Sequence, residues 1–100
     1  MIVRIVKMTF REDQVDNFLA LFNERKKLIR NFDGCRHLEL WQETGKTNVF
    51  FTYSFWDSGQ HLDHYRFSAL FKDTWAKTKA LFSDDPQAWS VEQKMVVSTE

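Results

Sequence analysis

The chain has 100 residues, a single cysteine, and 14 basic against 14 acidic side chains. That length makes one domain spanning residues 1–100, the lone Cys35 excludes an internal disulfide framework, and zero formal charge gives no electrostatic reason to expect nucleic acid or an anionic membrane. Apolar runs stop at three residues, as in Val49-Phe50-Phe51, which excludes a transmembrane helix or a signal-peptide core and leaves the cytoplasm as the expected setting.

Residues 2–10 are rich in β-formers and read as a first strand, with Ile2, Val6, Met8 and Phe10 on one face and Val3 and Ile5 on the other. Residues 12–31 read as a helix. Val15, Phe18, Leu19, Phe22, Ile29 and Phe32 recur at steps of three and four, and Arg25 and Lys26 interrupt the stripe. Acids stand at its start and bases at its end, as the helix dipole favours. Asp33-Gly34 ends it.

Residues 35–43 and 47–56 read as two strands joined at Thr44-Gly45-Lys46. On the second, Val49, Phe51, Tyr53 and Phe55 face one way and Phe50, Thr52, Ser54 and Trp56 the other. Asp57-Ser58 reads as a cap, with Gln60 three residues past Asp57 at capping-box spacing, for a short helix through about Tyr65. Ser68 caps a further helix carrying Leu70, Phe71, Trp75, Thr78, Leu81 and Phe82. Residues 88–97 read as a last strand, with Trp89, Val91, Met95 and Val97 on one face.

The order β-α-β-β-α-β predicts an α+β, ferredoxin-like fold with a four-stranded antiparallel sheet. Helices cover one face of such a sheet. These strands offer apolar groups to both faces, and aromatics make up 16% of the chain. The other face is therefore expected to meet a second copy, giving a homodimer packed sheet to sheet.

The chain resembles the antibiotic biosynthesis monooxygenase (ABM) family of dimeric α+β barrels. The resemblance runs through three segments. The first is the opening strand and helix, Ile5 to Phe22. The second is the turn Phe32-Asp33-Gly34-Cys35, with Asp33 where the family has proline. The third is Phe51 to Phe71, with Trp56, Asp57-Ser58, Leu62-x-His64 and Ser68-x-Leu70-Phe71. It implies a homodimer with an apolar pocket between sheet and helices. It also implies oxidation of a small phenol or quinol by molecular oxygen with no cofactor or metal. Relatives include haem-degrading enzymes, proteins that rearrange small signalling molecules and many with no established activity. The haem-degrading members use an Asn, a Trp and a His. Only Trp56 matches; the other two positions fall on Val6 and about Trp75, so haem degradation is not expected.

His64 matches the family's Leu-x-x-His position in type, with Leu62 two residues before it instead of three, and is the candidate base toward a phenol or quinol. Trp56, Tyr53, Trp75 and Phe71, with His61, are the candidate substrate-binding residues, the aromatics forming a wall for a planar small aromatic molecule. The alternatives are a non-catalytic binding or stress-associated homodimer, and an isomerase using the same base. His61 and His64 lie three apart and could share a metal only with a third ligand from Asp57, Asp63 or His37; two solvated histidines is the simpler reading. His37, Glu39 and Trp41 share a strand face and read as rim residues. Arg4 stands on an apolar strand, where a sheet edge is preferred over a contact with an acidic partner group or an anionic substrate. The basic run Arg25 to Arg30 reads as a solvated helix end, and Cys35 as a buried, inert thiol.

Overall fold

A computed structural model describes residues 1–99. The chain forms β1 (Ile2–Thr9), a 3-10 turn (Glu12–Gln14), α1 (Val15–Arg30), β2 (Cys35–Gln42), β3 (Val49–Trp56), α2 (Gly59–Arg66), α3 (Ala69–Lys79) and β4 (Gln87–Glu92). The four strands make one sheet in the order β2-β3-β1-β4 with every neighbour antiparallel. This is the ferredoxin-like α+β arrangement expected from the sequence.

The expected 12–31 helix is a 3-10 turn followed by α1. Its apolar stripe buries Phe18 and Ile29. The interruption at Arg25 has a structural cause. Its side chain crosses to α3, where one terminal nitrogen donates to Asp73 at 2.8 Å and to the Thr74 hydroxyl at 2.9 Å. The Asp73 carboxylate holds the guanidinium above its ordinary pKa. A charged group in the stripe thus ties two helices together.

Of the pair Asp57-Ser58 expected to cap α2, Asp57 does not. Ser58 does, its hydroxyl accepting from the His61 backbone N–H at 3.2 Å. Asp57 instead takes both arms of Arg36 at 2.6 and 2.7 Å, clamping the start of β2 to the end of β3. Arg36 holds the Asp57 carboxyl below its usual pKa. A depressed folded-state pKa contributes stability above the ordinary carboxylate range and loses it as pH falls through the depressed value. The stability gap between wild type and Asp57→Asn is therefore expected to be present at neutral pH and to close in acid, below the ordinary Asp range. Chemical denaturation at a series of pH values checks this.

The last strand ends earlier than its apolar alternation predicts. β4 stops at Glu92, and Met95 and Val97 are each 87% exposed. The cause is topological. β4 is an edge strand whose only neighbour is β1, and Glu92 already pairs with Ile2, the first residue of that strand. Residues beyond Glu92 have no strand to bond to. Helix α3 likewise ends at Lys79, before Leu81 and Phe82, which still pack on the core from the following turn.

That core is in two parts. Met8, Phe10, Phe18 and Phe50 form one cluster, with the Phe10 and Phe18 rings stacked 4.1 Å apart. Cys35, Trp56 and Leu62 form the other, flanked by Ile2, Phe32 and Tyr65. Both lie on the helix side of the sheet.

Candidate functional site

Strand parity decides what faces the helices. On β1 the pairing places Arg4 opposite Ser54, Val6 opposite Thr52 and Met8 opposite Phe50. A cavity of about 310 Å³ lies between this face and the helices, near the lower end of ligand-pocket sizes. Its lining draws on both core clusters, with Met8, Val6, Phe22 and Trp75 from one and Trp56, Leu62 and Tyr65 from the other. The core is divided because this space separates its halves.

The walls are aromatic. The Trp56 ring stacks on Tyr65 at 4.7 Å, and Phe71 stacks on Trp75 at 5.9 Å with only 14° between planes. Tyr65 meets Phe71 edge-on at 5.2 Å, which joins the two pairs into one surface. Trp56 is fixed further by its indole N–H, which donates to the Ser54 hydroxyl at 3.0 Å. Thr74 and Thr78 also line the space, with Thr78 donating to the Thr74 carbonyl at 2.7 Å.

Two hydroxyls in the lining are unspent. The Tyr65 and Thr52 hydroxyls have no hydrogen-bond partner among the described residues. Burial pushes the Tyr65 phenol well above its ordinary pKa, so at neutral pH it keeps its proton and can donate to a ligand oxygen. Arg4 and Arg66 complete the lining, and among the lining residues there is no His, Asp, Glu or Lys.

Three of the residues expected here do meet: Trp56, Phe71 and Trp75 all line the cavity. His64, His61 and Tyr53 do not. His64 is exposed on α2 and meets Phe32 edge-on at 5.6 Å. His61 is engaged in the α2 cap, its Nδ1 lying 2.7 Å from the Ser58 hydroxyl, and its ring presses on Gly34. Tyr53 is on the opposite face of the sheet, stacked on Trp41 at 4.4 Å. No three His, Cys, Asp or Glu residues converge as metal ligands among the described residues.

Sequence reasoning missed Tyr65 and Arg66, and set Arg4 at a sheet edge. β1 is an inner strand, and Arg4 points into the cavity. The sequence carries a signal for all three. Leu62 is the apolar residue of a short helix, and the positions three and four beyond it, Tyr65 and Arg66, share its face. Arg4 has the parity of Val6 and Met8.

The outer face of the sheet is lined by His37, Glu39, Trp41, Tyr53, Phe55, Ile5, Trp89 and Val91, with Trp41, Trp89 and Val91 39–44% exposed. Glu39 accepts from the Trp41 indole at 2.8 Å and pairs with His37. These two contacts hold its carboxyl below the ordinary pKa. His37 and Glu39 are thus partnered within this face.

Residues 1–77 match the profile of the antibiotic biosynthesis monooxygenase family. The chain belongs to that family. An ABM crystal structure superposes with a TM-score of 0.87 at 17% identity, covering 93% of this chain and 98% of that one. Rv0793 from Mycobacterium tuberculosis gives 0.87 at 20% identity, with 97% and 98% covered. A variant of SnoaB, a cofactor-independent oxygenase from Streptomyces nogalater, gives 0.85 at 12% identity, with 96% and 95% covered. Identities this low show the fold alone. No curated protein sequence matches the chain. Val6, Trp56 and Trp75, the positions compared above with haem-degrading relatives, all line this cavity. No helix among the described residues is long and apolar enough to cross a membrane.

Proposed function

We propose that this ABM protein binds a small planar phenol or quinol in the cavity and oxidises it with molecular oxygen, without a cofactor. The observation that carries the reading is an aromatic-walled cavity with a free phenol donor, Tyr65, and no side-chain base in its lining. The missing base narrows the substrate. The ring must ionise without a positioned base, which favours phenols and quinols acidified below the ordinary phenol value of about 10 by a conjugated ring carbonyl. Their anions can pass an electron directly to oxygen.

For a phenol with an open para carbon, that carbon loses its hydrogen and becomes a carbonyl. One oxygen atom enters the new carbonyl, the other leaves as water, and both hydrogens of that water come from the substrate. The chain's own part is to hold the ring between Trp56 and Trp75, exclude bulk water, and donate from Tyr65 to a ring oxygen that gains charge. Oxidation under labelled oxygen is expected to place one labelled atom in the quinone. Formation of product without oxygen would point to isomerisation instead, and binding without turnover to a carrier. The absence of a lining base favours the carrier over the isomerase as second reading, because proton abstraction beside a carbonyl needs a positioned base.

The uncovered aromatic sheet face supports a homodimer packed sheet to sheet. Exposed Trp41, Trp89 and Val91 on one face form an apolar surface that a second copy would remove from water. Light scattering at micromolar concentration is expected to give twice the chain mass, and Trp89→Glu to reduce it to one. A monomeric wild type would contradict the proposal.

A further inference from the structure

The only charged side chains in the cavity lining, Arg4 and Arg66, stand at one end. There Arg4 lies on the inner face of β1, level with Ser54 on β3 and Ser90 on β4, and Arg66 is the last residue of α2. Arg66 is exposed and lines the cavity, so this end is its mouth. A guanidinium has five N–H donors. Arg4 uses one terminal nitrogen on the Ser90 hydroxyl at 3.0 Å, and neither arginine forms an ion pair with another described residue.

A partly buried cation on a central strand normally has a carboxylate beside it, because leaving it unpaired costs free energy. Here the neighbouring charge of greatest weight is a second cation. Burial and Arg66 both depress the Arg4 pKa, and only Asp63 opposes them. The acid on the same sheet face, Glu92, forms no ion pair with it. The site is therefore short of a negative charge that the fold does not supply.

We infer that Arg4 and Arg66 receive a carboxylate carried by the aromatic ligand, so that the cavity selects arenes bearing one carboxyl group. The inference rests on the cavity being a ligand site, and it adds the substrate class. A planar carboxylate matches the guanidinium fork, and the Ser90 hydroxyl stands beside it. Asp63 already offsets part of the charge of the two cations, so the local excess suits one negative charge better than the two of a phosphate monoester. The apolar remainder, between Trp56 and Trp75, suits one or two fused rings.

The test uses ligands that cannot be oxidised, under nitrogen, so that it is independent of oxygen chemistry. Calorimetry compares naphthoate, naphthamide and naphthyl phosphate on the full chain. Naphthoate is expected to bind about tenfold to a hundredfold more tightly than naphthamide, the range for a charge-assisted hydrogen bond set. The preference should shrink with added salt and disappear in Arg4→Gln. Arg66→Gln, at an exposed helix end, keeps the test valid if the β1 variant folds poorly, and is expected to lose about tenfold of the preference. Equal binding of naphthoate and naphthamide would overturn the inference, as would tighter binding of naphthyl phosphate or a preference that survives both substitutions. Carboxylate preference without oxygen uptake on any phenol would leave this inference standing and remove the oxidation reading. Oxidation of neutral and carboxylated phenols at equal rates would do the reverse.

Discussion

Gly34→Ala is expected to lower stability by about 3 kcal/mol, combining a strained backbone with a steric clash. Gly34 has φ +87°, in the left-handed region that a residue with a Cβ seldom occupies. A Cβ placed there would also lie 2.5 Å from three atoms of the His61 side chain. One of the three is the His61 Cβ, which the α2 backbone holds in place, and retreat of the ring would break its contact with Ser58. Its Nδ1 is engaged with Ser58, which caps α2, and the Gly34 carbonyl accepts from the Asp57 N–H at 2.9 Å. The turn between α1 and β2 thus packs directly on the start of α2. For a domain of this size the loss corresponds to a fall in melting temperature of about 12 to 24 °C. Gly45 gives the internal control. Its φ is +83°, yet a Cβ there would meet nothing within 4 Å. Gly45→Ala should therefore show the backbone cost alone, about 1 kcal/mol. Thermal melts of both variants check the difference, and Gly34→Ala with His61→Ala should recover part of the loss.

Trp56→Ala is expected to cost about 4 kcal/mol and to abolish ligand binding. Trp56 is 1% exposed, on a strand paired on both sides, and it forms one wall of the cavity. Its removal would leave Tyr65 without its stacking partner and the Ser54 hydroxyl without its donor. Trp56→Phe separates the two roles. It keeps a ring against Tyr65 and loses the indole N–H, so it is expected to cost about 1–2 kcal/mol. Naphthoate binding should persist in the Phe variant and vanish in the Ala variant. Denaturant titration and calorimetry on the same preparations give both numbers.

The fold was legible in the sequence because period-two and helical patterns alternate cleanly and glycines punctuate them. What failed were inferences that needed tertiary pairing. Met95 and Val97 continue an apolar alternation, yet β1 has no residue left to bond them. Asp57 has capping spacing, yet Arg36, twenty-one positions earlier, outcompetes the helix for its carboxylate.

The site was legible only in part, and the misses trace to geometry within single elements. Tyr53 and Trp56 have opposite parity on β3, so a sheet cannot show both to one ligand. His61 and His64 each sit one position away from the face that Leu62 buries. Histidine drew attention through its chemistry, while the face it occupies depends on where the helix packs. Arg4 is a misfit on an apolar strand only until its setting is known to be a cavity, which sequence periodicity does not reveal.

On the proposed function, the cavity and not the exposed histidine is where an aromatic is oxidised. Oxygen uptake by metal-stripped protein on a panel of quinols and polyphenols tests it most directly, with His64→Ala and Ala88→Trp run alongside. Ala88 is exposed at the rim of the cavity, so a tryptophan there would occupy its opening. Uptake is expected in wild type, unchanged in His64→Ala and lost in Ala88→Trp. Uptake that disappears in His64→Ala and survives in Ala88→Trp would contradict the account, as would no uptake on any member of the panel.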